Sequence, residues 1–155
     1  MANSVDARLT ELGIVLPAAA APVANYVAHL TTGNLVFVSG QLPMWEGKLQ
    51  LPGRLGDNLD IAQGQQAAKY CALNLLAQLK AATGGNLDRV ATVVKLTGYV
   101  NCTAEFTDQA QVINGASDMM VEVLGERGKH TRAATGCMSL PLGAAVEVDG
   151  VFELA

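Results

Sequence analysis

Gly33-Asn-Leu-Val-Phe-Val-Ser-Gly-Gln41 reads as a β-strand entered through a turn. Leu35 to Val38 are bulky or β-branched without interruption. A strand sends successive side chains to opposite faces, so both faces of this one are apolar. Upstream, Asn25 to Leu30 reads as a partner strand, joined to it by a turn at Thr31-Thr-Gly-Asn34. A later β-rich run, Val90 to Val100, carries Val93-Val94 and is again apolar on both sides.

Two helices lie outward from these strands. Between Asp60 and Thr83, Ala68, Cys71, Ala72, Leu75, Leu76 and Leu79 recur at three- and four-residue spacing, and Gly84-Gly85 stops the run. Between Asp108 and Leu124, Val112, Ala116, Met119, Met120 and Val123 share one helical face, ended by Gly125 and Gly128. Arg132 to Ser139 and Ala144 to Glu153 alternate as two closing strands around Leu140-Pro-Leu-Gly143. The order β-β-α-β-α-β-β defines an α+β fold, a mixed sheet with two main helices packed on one face. The other face must then be covered, because soluble monomers seldom expose so large an apolar patch. Another copy of the chain is one cover, giving a homo-oligomer with sites between subunits. The other is the long loop from 41 to 60, rich in Pro and Gly, with a short strand near Lys48 to Leu51.

The 155 residues suit a single domain, 1–155, in which residues 1–21 form an N-terminal extension. Ser4 caps a short helix there, Gly13 closes it, and Pro17 and Pro22 hold Leu16 to Ala24 extended. Half the residues are apolar and the formal charge is -4, which favours a globular core and disfavours nucleic acid as a partner. No stretch offers the ~18 uninterrupted apolar residues of a membrane span, so no membrane contact is expected. The three cysteines, Cys71, Cys102 and Cys137, are too scattered for a disulfide framework or a zinc knuckle. A reduced, cytoplasmic protein is expected.

Most catalytic motifs are missing. Gly128-Lys129 lacks the glycine and the Ser or Thr of a phosphate-binding loop, since Val123 and His130 stand there. Arg127 and Lys129 read as cations complementing a helix C-terminus. His29 and His130 have no neighbours at metal-ligand spacing, and Ser39 is in no nucleophile elbow, so no metal, no cofactor and no serine triad is expected. Cys71 lies on an apolar helix stripe and reads as core.

What remains is a cation in unusual company. Arg132 opens a strand of small neutral residues, Ala133-Ala-Thr-Gly-Cys137. A guanidinium forks onto a carboxylate through two parallel hydrogen bonds, so Arg132 is either a receptor for a small organic acid or a surface residue paired with a nearby acid. In the last strand Glu147, Asp149 and Glu153 share one side.

As a whole the chain resembles the reactive intermediate deaminases of the RidA/YjgF type, formerly described as L-PSP endoribonucleases. The resemblance spans about residues 22 to 154. It rests on Pro22-Val-Ala-Asn-Tyr26, on Gly33 to Gln41, on Asn114, on Arg132 followed by Leu140-Pro141, and on Val146-Glu-Val148. It implies a chorismate-mutase-like fold assembled as a homotrimer with a barrel-like core and clefts between subunits. It further implies that Arg132 clamps the substrate carboxylate and Glu147 orients or activates water. Tyr26 would close the cleft, the Gly40 backbone would hydrogen-bond the ligand, and Asn114 would support the site. The implied reaction hydrolyses enamines and 2-imino acids to 2-keto acids and ammonia, without a cofactor.

The sequence departs from the family pattern at Ala134, where many members carry cysteine, and its N-terminal helix and 41–60 loop are additions. The rival expectation is a module of the same fold that binds a keto acid without turnover. A ribonuclease is disfavoured by the acidic charge and by the lack of a histidine pair.

Overall fold

In a computed structural model, which describes residues 4–155, five strands form one mixed sheet and two long helices lie along one of its faces. The elements are α1 (Val5–Glu11), β1 (His29–Thr32), β2 (Leu35–Gln41), β3 (Met44–Trp45), β4 (Lys48–Leu49), α2 (Ile61–Ala82), β5 (Val90–Asn101), α3 (Gln109–Leu124), β6 (Thr131–Cys137) and β7 (Val146–Leu154). The α+β order expected from sequence holds. The sheet order is β1-β2-β7-β5-β6, so the last strand is central and β6 lies at an edge, paired in parallel with β5. The other pairings within this sheet are antiparallel.

Local chemistry explains the boundaries. The Asp60 carboxylate accepts a hydrogen bond from the Gln63 N–H while Oε1 of Gln63 accepts one from the Asp60 N–H, a capping box that starts α2. The first hairpin turns on two residues, Gly33 and Asn34, since Thr32 already pairs with Leu35. Gly33 sits at φ 59°, the positive value a tight hairpin turn of this kind requires at its first position. That turn places β1 at His29–Thr32 rather than across Asn25 to Leu30. Residues 25 to 28 carry no ladder and run in as a bend.

The short strand expected near Lys48 to Leu51 is β4, limited to Lys48–Leu49, and it pairs with β3 as a small hairpin within the 41–60 loop. Trp45 stacks obliquely on Tyr70 of α2 at 6.0 Å, and Asn74 of α2 donates to the Met44 carbonyl at 2.8 Å. Farther on, Leu55 bridges Cys102 at the end of β5. The hairpin therefore leans on the helical layer, which disposes of the expectation that it folds over the open sheet face.

Between sheet and helices lies one core. Val36 and Val38 of β2, Leu96 and Val100 of β5, and Val146, Val148 and Phe152 of β7 meet Cys71, Leu75 and Leu79 of α2 and Ile113 and Met120 of α3. Cys71 is wholly buried and its thiol is pushed well up by desolvation, in keeping with a packing role. The N-terminal helix is docked rather than loose. Val5 and Leu9 are buried, the Val5 N–H donates to Asp88, and Lys80 pairs with Asp6. Arg127 departs from expectation: its guanidinium caps the carbonyls of Asp88 and Val90, not the end of α3. Lys129 pairs instead with Glu126.

The opposite face of the sheet is bare. Leu30, Phe37 and Val151 line up across β1, β2 and β7, and Leu30 and Phe37 remain 58% and 44% exposed. These are the residues a second copy would have to cover.

Candidate active site

The residues singled out from sequence fall into two groups on opposite faces of the sheet. Cross-strand partners in a ladder share a face, so register settles which is which. Arg132 is paired with Leu96, which is fully buried under the helices. Glu147 is paired with Tyr99, whose neighbours on that face are Thr97 and Asp149. Arg132 therefore turns toward α3, and Glu147 toward the bare face, with β5 lying between their strands.

On the helical side, Nη1 of Arg132 donates to Oδ1 of Asn114 at 2.7 Å and to Oγ of Ser117 at 3.1 Å, both on α3. Those two bonds use both hydrogens of Nη1. The Nε and Nη2 edge has no hydrogen-bond partner among the described residues and is not sealed from solvent. That edge presents two parallel N–H donors at carboxylate spacing. Among the described residues no acid pairs with Arg132 within salt-bridge distance, which argues against a surface ion pair as its explanation. Ser117 in turn bonds Nε2 of His130 at 2.9 Å, and Nδ1 of His130 lies 2.6 Å from the Gly128 carbonyl.

The bare-face group is built on a β-bulge. Pairing between β2 and β7 slips between Val38 and Gln41, and Gly40 lies in the slip. The Glu147 side chain lies directly against Gly40: a methyl group there would collide with Oε1 and come within 3.0 Å of Cδ. Only glycine leaves room for the carboxyl. Burial first, and then the charge of Asp149, raises the Glu147 carboxyl above the ordinary glutamate range. Tyr99 donates to Asp149 at 3.3 Å, and desolvation together with that carboxylate holds its hydroxyl protonated. Beside this cluster a groove of about 420 Å³ runs past Leu30, Phe37, Ser39, Gly40 and Asp149.

Tyr26 is half exposed, just before Val27, whose carbonyl accepts from the Ser39 hydroxyl at 2.8 Å. That bond ties the chain just after Tyr26 to β2, one residue before Gly40. The structure thus brings Arg132 together with Asn114, and Gly40 together with Glu147, but not one pair with the other. Ser117, His130, Tyr99 and Asp149 went unnoticed as site residues. Ser117 and Asn114 are three apart on α3 and so share a face, which is the signal that could have found Ser117.

A five-stranded mixed sheet with two helices on one face defines a chorismate-mutase-like domain, here with a half-free edge-strand arginine and a glutamate over a bulge glycine. The chain belongs to the family described as "YjgF/chorismate_mutase-like, putative endoribonuclease", whose model matches residues 6–154 and so includes the N-terminal helix. It is 50% identical over 151 residues to Protein TCP17 of Trypanosoma cruzi, covering 97% of this chain and 94% of that one. The crystal structure of Atu1372 from Agrobacterium tumefaciens, a protein of unknown function, superposes with a TM-score of 0.91 at 49% identity, covering 97% and 92%. That of Escherichia coli TdcF with bound serine shares the fold, with a TM-score of 0.64 at 20% identity over 88% and 94%. No helix among the described residues is long and apolar enough to cross a membrane.

Proposed function

We propose that this protein is a cytoplasmic, homotrimeric hydrolase of reactive enamines and 2-imino acids, which it converts to 2-keto acids and ammonia. The reading is carried by Arg132, whose guanidinium is fixed by two bonds on one side and open on the other. A planar carboxylate is the anion that matches such an edge. The serine bound by TdcF carries a carboxylate of the same kind, which supports this choice of ligand.

Because Arg132 and Glu147 face opposite ways in one chain, a working site takes one from each of two neighbouring copies. A ring of three heterologous contacts meets that requirement and covers the apolar row of Leu30 and Phe37. In the cleft Arg132 of one copy holds the substrate carboxylate, with Asn114 bracing the arginine. Glu147 of the next copy faces the adjacent C=N carbon, Gly40 contributes its backbone and Tyr26 closes the entrance.

An enamine such as 2-aminoacrylate first moves a proton from nitrogen to its terminal carbon and becomes an imine. Ionised Glu147 takes a proton from water as the water oxygen bonds to carbon, and passes it to nitrogen, giving a carbinolamine. It then carries the hydroxyl proton to nitrogen as the C–N bond breaks, releasing the keto acid and ammonia. A carboxyl raised toward neutrality suits both acceptance and return of the proton. The imine carbon is already electrophilic, so holding the acid and aiming the water is the main requirement.

The test is to generate 2-iminobutyrate in situ and follow its decay with and without protein. Acceleration that disappears in Arg132→Ala supports the enzyme. No acceleration over buffer, combined with keto-acid binding by calorimetry, would leave the non-catalytic binding module.

A further inference from the structure

We infer that Ser117 and His130 form a positioning relay, anchored on the Gly128 carbonyl, that fixes which edge of Arg132 faces a ligand. The inference rests on the carboxylate clamp proposed above and adds two residues to it. A carbonyl oxygen can only accept, so the 2.6 Å contact puts the imidazole proton on Nδ1 of His130. In the neutral ring Nε2 is then an acceptor, and it faces Oγ of Ser117 at 2.9 Å. The hydroxyl must donate there. Its lone pairs are thereby turned to Nη1 of Arg132 at 3.1 Å. With the ring neutral, every atom in the chain from Gly128 to Arg132 has one role, and no link can be reversed without setting two acceptors face to face.

The consequence is geometric. Asn114 alone would hold Nη1 by a single contact, about which the guanidinium could swing. A second acceptor at Ser117 fixes the plane and leaves the Nε and Nη2 edge as the only one on offer. The relay joins α3, the turn after it and β6, and Gly128 is buried, so its carbonyl is a fixed reference point. A freely turning hydroxyl could offer Arg132 its own proton instead. His130 prevents that.

Two measurements test this. With nitrogen-15-labelled histidine at about pH 8, where an unperturbed imidazole is neutral, the chain gives signals from only two histidines. His130 should show a protonated Nδ1 and a bare, hydrogen-bonded Nε2, and Ser117→Ala should shift the Nε2 signal. A proton on Nε2 in the wild type overturns the relay. Calorimetric titration with pyruvate is the second measurement. Ser117→Ala and His130→Ala should weaken binding about tenfold, the worth of one charge-assisted bond. Ser117→Thr, which keeps a hydroxyl, and His130→Gln, which keeps an acceptor, should restore it. Wild-type binding matched by Ser117→Ala would refute the relay while leaving the clamp intact. A wild type that ignores pyruvate would refute the clamp, and the nitrogen signals would still decide the relay.

Discussion

Gly40→Ala separates chemistry from folding. The new methyl would collide with Oε1 of Glu147 and sit 3.0 Å from its Cδ and 3.2 Å from its Cγ. All three atoms belong to the far end of a flexible side chain, and Gly40 is exposed, with a backbone that any residue can adopt. The cheapest relief is for the carboxyl to move by about 1 Å, with strand and bulge left in place. A displacement of that size at a reacting group costs on the order of 100-fold in rate. Stability should change little, since an alanine gains up to about 1 kcal/mol from the reduced freedom of the unfolded chain, offsetting the local repacking. Keto-acid affinity should fall far less than the rate, because Arg132, Asn114 and Ser117 of the neighbouring copy, which hold the carboxylate in the proposed cleft, are untouched by the methyl. The assay is decay of 2-iminobutyrate alongside a thermal melt and a pyruvate titration. Full turnover in Gly40→Ala, with the fold intact, would refute the assignment of Glu147 to the proton transfers.

Glu147→Gln should lower kcat by at least about 100-fold, the lower end for loss of a general base, while pyruvate still binds. Burial and Asp149 hold the Glu147 proton on, so activity should fall on acidification at a pH above the ordinary glutamate range, and Asp149→Asn should move that limb to lower pH. The same shift means the folded chain binds this proton more tightly than the unfolded one, so the carboxyl's contribution to stability is lost as pH rises through its raised pKa. Denaturant melts across that window check the sign. Arg132→Ala should abolish pyruvate binding with the oligomer unchanged, and Arg132→Lys should rescue little, since an ammonium cannot offer the fork. Phe37→Lys places a charge on the bare face, and size-exclusion chromatography with light scattering should then report a monomer.

Much of this fold was legible because its signals are local. The apolar spacing of Leu75, Leu76 and Leu79, the Gly84-Gly85 stop and the unbroken Leu35 to Val38 run each specify an element within a few residues. The placement of β1 was not, because Gly33 fixes the turn and the register follows from it. Nor was the central position of β7, which depends on pairing between residues more than 100 apart, such as Val36 with Phe152. The small hairpin at Glu46 and Gly47 was hidden by a turn pair other than the common Asn-Gly or Asp-Gly, although both residues adopt positive φ. At the site, Arg132 stood out as a cation opening a strand of small neutral residues, whereas Asn114, Gly40 and Glu147 stood out through the family resemblance. Their division between two faces did not, since it follows from the register of β6 and β7 on β5. Ser117 and His130 come together across a turn and 13 residues, a separation without a sequence signature.

That division can be tested by complementation. Arg132→Ala and Glu147→Gln chains, each inactive alone, are unfolded together, refolded as a mixture and assayed on 2-iminobutyrate. If every site draws Arg132 from one copy and Glu147 from the next, random assembly makes about one site in four intact, because each half is sound with even odds in a heterologous ring. About a quarter of wild-type activity should return. A mixture as inactive as its parents would contradict a site shared between copies.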